Sequence, residues 1–135
     1  ALLSAGRLAE GWAAGESRLD PNRAQATLFT MKAPYWDGTD HGKLRGKTLV
    51  LVGEQGLGDE VLFMNTVPDL LEALGPDGEL RIACEQRLRS LVKRSFPTAV
   101  VGNHLSATIE GRDVRLPTPT FNQATVNRWM GLATA

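Results

Sequence analysis

The chain has 135 residues, room for about one domain, and is 42% hydrophobic, enough to build a core. Its 15 basic residues offset 15 acidic ones, so it lacks the basic excess that marks a nucleic-acid binder, and the cluster Arg87 to Arg94 reads as a solvated helix face. One cysteine, Cys84, rules out an internal disulfide framework, and no apolar run approaches the ~18 residues of a membrane span.

With no signal peptide at its start, the default expectation is a soluble cytoplasmic protein in a reducing compartment. The sequence opens with apolar positions already in helical rhythm, which reads as part of a longer protein.

Residues 1 to 19 carry Leu2, Leu3, Leu8, Trp12 and Leu19 near helical spacing, interrupted at Gly6. The pattern predicts the end of one helix, a turn over Ser4 to Gly6, and a second helix from Arg7 to Arg18. Two short helices joined by a tight turn are the unit of helical repeats, of which about half is present. Residues 20 to 47 hold Pro21, Pro34, Gly38, Gly42 and Gly46 and read as a linker, with Tyr35 and Trp36 docking on the neighbouring domain.

From Thr48 to the end at residue 135 the pattern alternates strand and helix. The run "TLVLV" is apolar throughout, as a strand covered on both faces would be. A helix follows from Asp59 to Leu74, with Phe63, Val67, Leu70, Leu71 and Leu74 on one stripe, stopped by Gly75 and Pro76. "ELRIACE" reads as a second strand, Gln86 to Phe96 as a second helix closed by Pro97, Thr98 to Gly102 as a third strand and Asp113 to Pro117 as a fourth. A last amphipathic helix is expected within residues 118 to 135. The order implies parallel, right-handed crossovers and an α/β fold with an open, mostly parallel Rossmann-like sheet.

In such sheets ligands bind beyond the carboxyl ends of the strands, where "GEQGLGD" (Gly53 to Asp59) falls. Gly56 and Gly58 can take positive φ and let a ligand approach the backbone, while the first amides of the helix suit an anion. The loop has no lysine for a P-loop, and a GxGxxG fingerprint beginning at Gly56 would need its third glycine where Val61 stands. Glu85 ends the second strand where a ribose-binding acid would sit. Asp59 has two readings: it starts the helix, a role aspartate suits, or it is a general base for a substrate hydroxyl. Glu54 and Gln55 either hydrogen-bond an acceptor or hold the loop shape. His104, expected on a loop after the third strand, is either a solvated polar residue or an acceptor contact. His41 reads as an exposed linker histidine, and neither histidine has neighbours at metal-ligand spacing.

The segments "EGWAAGESRL", "YWDG", "KLRGKTLVLV" and "GEQGLGD" stand in an order and spacing that resembles bacterial proteins in which a heptosyltransferase-like glycosyltransferase follows tetratricopeptide (TPR) repeats. The resemblance covers residues 2 to 117. It implies a GT-B enzyme, with the acceptor on a first Rossmann-like domain, partly represented here, and a nucleotide-sugar on a second. It carries the role of catalytic base onto Asp59, with Gly56 and Gly58 shaping the loop around it and no metal or other cofactor; the substrate-binding candidates are Gln55, Gly56, Leu57, Gly58 and His104. The expected function is the acceptor side of sugar transfer from a nucleotide-sugar to a hydroxyl on a sugar or protein, inactive as an isolated segment. The alternative is a non-catalytic protein-binding or scaffold module with a partner on the TPR-like segment.

Overall fold

A computed structural model describes residues 2–20, 22–23, 26–29, 34–54, 56–109 and 111–117. The last amphipathic helix expected within residues 118 to 135, and Gln55, lie outside the described residues. The chain is a mixed α/β protein that divides into two compact units, Ala1–Phe29 with Ser106–Arg115, and Thr30–Leu105 with Leu116–Ala135.

In the first unit a 3-10 turn, Leu3–Ala5, ends at Gly6 in the left-handed region, and helix α1 spans Leu8–Gly15 before a second 3-10 turn, Glu16–Leu19. The predicted turn and helix are therefore present, with the α-helix four residues shorter. Gly11 is the buried position of α1: a Cβ there would lie 2.5 Å from Leu3 Cδ2. Leu8 and Trp12, two of the apolar residues at helical spacing, are exposed.

Strand β1, Leu28–Phe29, lies inside the stretch read as a linker and pairs in parallel with β5, Arg112–Pro117, through Leu28 with Val114 and Phe29 with Arg115. It carries no pattern longer than two residues, which is why the sequence hides it. Strand β4, Val100–Ile109, neighbours β5 across Gly111 at φ 77°. A connection of two residues permits only antiparallel pairing, so the strand pairings of the protein are mixed.

In the second unit β2 (Thr48–Val52), β3 (Glu79–Cys84) and the start of β4 pair in parallel, in the order β2–β3–β4. The third strand was expected to end at Gly102, but β4 continues through the polar residues that follow. Its core gathers Leu80, Ile82 and Cys84 of β3 with Val67 and Leu74 of α3 (Val67–Leu74), Val92 of α4 (Arg89–Ser95), and Leu44. Leu49 and Leu51 pack on that cluster, while Val50 and Val52 pack with Ala83 in a separate small one. "TLVLV" is half-buried from Leu49 to Val52 rather than fully covered on both faces. Trp36 packs on the main core as expected, and its neighbour Tyr35 is exposed.

The single helix predicted from Asp59 to Leu74 is two. Helix α2 spans Leu57–Phe63, a 3-10 turn covers Met64–Thr66, and α3 resumes at Val67. Pro68 is the cause: it has no N–H to give the carbonyl four residues back, and its ring would collide with that turn, whereas the start of a helix tolerates it. The break takes Phe63 off the buried stripe and leaves it exposed. Gly75 ends α3 at φ 69°, ψ −177°, a conformation all but closed to residues with a Cβ, and its N–H donates to the carbonyls of Leu71 and Glu72. The second predicted helix also divides, into a 3-10 turn over Gln86–Leu88 and α4.

Candidate functional site at the strand ends

The parallel pairing of the three strands stops at one level. Val52 is in register with Ala83 and Cys84 with Asn103, so Gly53, Glu85 and His104 each stand one residue beyond the last registered pair on their strand. Gly53 still pairs through its N–H with the Ala83 carbonyl at 2.9 Å. This carboxyl-terminal rim is where an α/β sheet exposes its binding groups.

The chain leaves β2 through Gly53 and Glu54, and α2 begins at once. Gly56 is the N-cap residue, so Leu57, Gly58 and Asp59 form the first turn of the helix. Gly56 has φ −77° and ψ 170°, ordinary extended backbone, and Gly58 is helical, so neither takes the positive φ anticipated for it. What these glycines provide is space: a Cβ on Gly58 would meet nothing within 4 Å, and both are exposed. Leu57 beside them is exposed as well.

Asp59 is half-buried, and its Oδ2 accepts the Gly56 N–H at 3.3 Å. This is one half of a capping box; glycine at the N-cap has no side chain to return the second bond. The helix-starting role is therefore visible in the geometry. One carboxylate oxygen is engaged in this way, and the other is not part of the capping bond.

The residue that sequence reasoning passed over is Glu60. It follows the loop motif, yet it is buried at 4% exposure, as is His104 at 7%. Glu60 Oε1 lies 2.8 Å from His104 Nε2, and Oε2 accepts the Glu85 N–H at 2.8 Å. An ionised carboxylate only accepts, so in that state the Nε2 position of His104 carries the hydrogen. The carboxylate also rests on Gly53: a Cβ there would come within 2.2 Å of Glu60 Oε1 and 2.3 Å of Cδ. One side chain thus touches all three strands at the level where their parallel pairing stops. The only hint in the sequence is a second acid beside Asp59 and a small residue directly after an apolar strand. Neither shows that the acid turns inward.

His104 lies inside β4, not on a loop, and it meets Glu60 rather than open solvent. Glu85 does not stand free for a ribose: its Oε2 accepts the Arg87 N–H at 3.0 Å, capping the turn that leads to α4, and pairs with Arg87 Nε at 3.0 Å. Cys84, fully buried, donates to the Gly102 carbonyl at 3.6 Å. Burial, and next the Glu60 carboxylate, push its thiol up to about 11, which keeps it protonated and unreactive at neutral pH.

Beside the rim, α2 and α4 enclose a groove of about 280 Å³ lined by Val61, Met64, Leu88, Leu91, Val92 and Phe96, among others. Val61, which lines it, is exposed, as are Leu62 and Phe63 next in α2. Among the described residues, no helix is long and apolar enough to cross a membrane.

No known family's model matches the chain, and no solved structure matches it. It is similar to Protein FlbA of Caulobacter vibrioides, with 49% identity over 114 residues. Those residues are 84% of this chain and 19% of FlbA, so the chain spans about a fifth of the length of that relative.

Proposed function

We propose that this segment is the acceptor side of a cytoplasmic, TPR-linked, heptosyltransferase-like glycosyltransferase, contributing part of the Rossmann-like N-terminal domain of a GT-B enzyme. The observation that carries the reading is the setting of Gly53 to Asp59: the motif follows a strand with parallel neighbours, at the carboxyl rim, and opens a helix whose first turn bears an accessible carboxylate.

In this reading an acceptor hydroxyl lies over the open surface at Gly56, Leu57 and Gly58, with Gln55 as a further contact. Asp59 takes the hydroxyl proton as the oxygen attacks the anomeric carbon, and the nucleoside diphosphate departs with the bonding pair. The donor would be held by residues outside this segment, so transfer belongs to the longer protein and the segment alone is inactive. His104, closed against Glu60, is not among the groups the acceptor would touch. Incubating the full-length natural protein with UDP-, GDP- and ADP-linked sugars, and following nucleoside diphosphate release, tests the reading. Asp59→Asn is expected to lower release by about 10²-fold or more, the usual contribution of a general base. Release at an undiminished rate would remove Asp59 from the chemistry.

A second reading has its own support. The exposed Val61, Leu62 and Phe63 beside an apolar groove suit a protein-binding or scaffold module. A sedimentation coefficient independent of concentration would count against self-association through that face.

A further inference from the structure

We infer that Glu60 is a positioning residue, the clasp that fixes the first turn of α2, and with it Asp59, against the three parallel strands at the level where their pairing stops. The inference rests on the reading of Asp59 as the base. Asp59 and Glu60 are consecutive in one helical turn, so whatever holds the Glu60 carboxylate also sets the backbone that carries Asp59. Glu60 is held at three points: His104 from β4, the Glu85 amide at the end of β3, and Gly53 at the end of β2. None of these is local to the helix, because His104 lies 44 residues away in the chain and Glu85 25.

Helix α2 has only seven residues before the turn that Pro68 imposes, too few to hold its own geometry. Val61, Leu62 and Phe63, which follow Glu60 in it, are all exposed, so burial of those side chains does not anchor it. The buried carboxylate supplies the missing restraint. It touches no acceptor, since it is closed to solvent. It acts through the placement of its neighbour.

The test uses the full-length natural protein with four substitutions and two readouts, turnover kinetics and amide hydrogen exchange. Glu60→Gln keeps the shape: its oxygen accepts the Glu85 N–H, and its amide donates to His104 in the other tautomer. Turnover within about threefold of the parent is expected, since the bonds lose charge assistance but not geometry. Glu60→Ala removes the clasp. A fall in kcat on the order of 10²-fold is expected, with KM much less affected, as for a catalytic group displaced by about 1 Å. Exchange should quicken at Asp59 to Val61 and at the Glu85 amide. If Glu60→Ala does not fold, Glu60→Asp replaces it, one methylene too short to reach both partners.

A folded Glu60→Ala or Glu60→Asp protein with unchanged kcat and unchanged exchange overturns the clasp. A loss of turnover in Glu60→Gln equal to that in Glu60→Ala would also overturn it, because charge rather than placement would then be at issue. Asp59→Asn separates the two readings. Undiminished transfer in that variant defeats the base assignment, and exchange in the Glu60 variants then decides the clasp alone.

Discussion

Glu60 and His104 meet at 2.8 Å although 44 residues separate them, and their side chains are only 2% and 3% exposed. A buried acid is tolerated only when its oxygens are engaged, and here one faces the imidazole and the other the Glu85 amide. The pair joins α2 to β4, and the Glu85 amide joins the same carboxylate to the end of β3.

Removing either partner leaves the other buried without its bond. Glu60→Ala and His104→Ala are each expected to destabilise by about 3 kcal/mol, the range seen when one member of a buried pair is deleted. His104→Ala should be the worse, because it strands a carboxylate where Glu60→Ala strands a ring and an N–H. Urea denaturation midpoints at matched slope would measure both; a loss below about 1 kcal/mol in each would show the pair to be solvated.

Gly53→Ala sets a methyl 2.2 Å from Glu60 Oε1 and should drive the carboxylate off its partners. The same substitution made in Glu60→Ala meets an emptied space. The two changes are therefore expected to be non-additive, with a coupling of about 1–3 kcal/mol in a double-mutant cycle. Simple additivity would mean that Gly53 is constrained by something other than Glu60.

Gly75→Ala tests the end of α3. At φ 69° and ψ −177° the new Cβ costs about 1–3 kcal/mol even with every neighbouring side chain still in place, since the penalty is in the backbone. Gly78→Ala should be at least as harmful for a different reason: its Cβ would lie 2.6 Å from the Leu74 carbonyl oxygen, a backbone atom that cannot swing aside. Thermal midpoints of the two variants are the check.

Cys84 gives a pH dependence whose sign follows from its burial. Its thiol is pushed up to about 11 in the folded state, so the folded protein keeps a proton that the unfolded chain has already released. The stabilisation is whole below the ordinary thiol range near 8.5 and is lost as pH rises through about 11. Denaturation midpoints at pH 8 and pH 10 should therefore converge for the parent and Cys84→Ala proteins at the higher pH. An equal gap at both would show that the thiol does not titrate differently in the two states.

The elements built on strong local pattern were legible before any coordinates. The apolar run of β2, the alternation through β3, the stripe of α3 and the Gly-Pro stop after it all appear where the side-chain periods put them, because those signals come from neighbours in the chain. The loop motif and the helix-starting use of Asp59 were legible for the same reason. Tertiary structure decided the rest. Strand β1 is two residues long and exists only because β5 offers it a partner. β4 runs on through Asn103 and His104 because the partners of these residues come from elsewhere in the fold. Glu60, one acid among several at a helix start, becomes the junction of the three parallel strands only when β2, β3 and β4 lie in register. A carboxylate in sequence carries no sign of whether it faces water; its burial is fixed by partners 25 and 44 residues away, and that choice belongs to the folded chain alone.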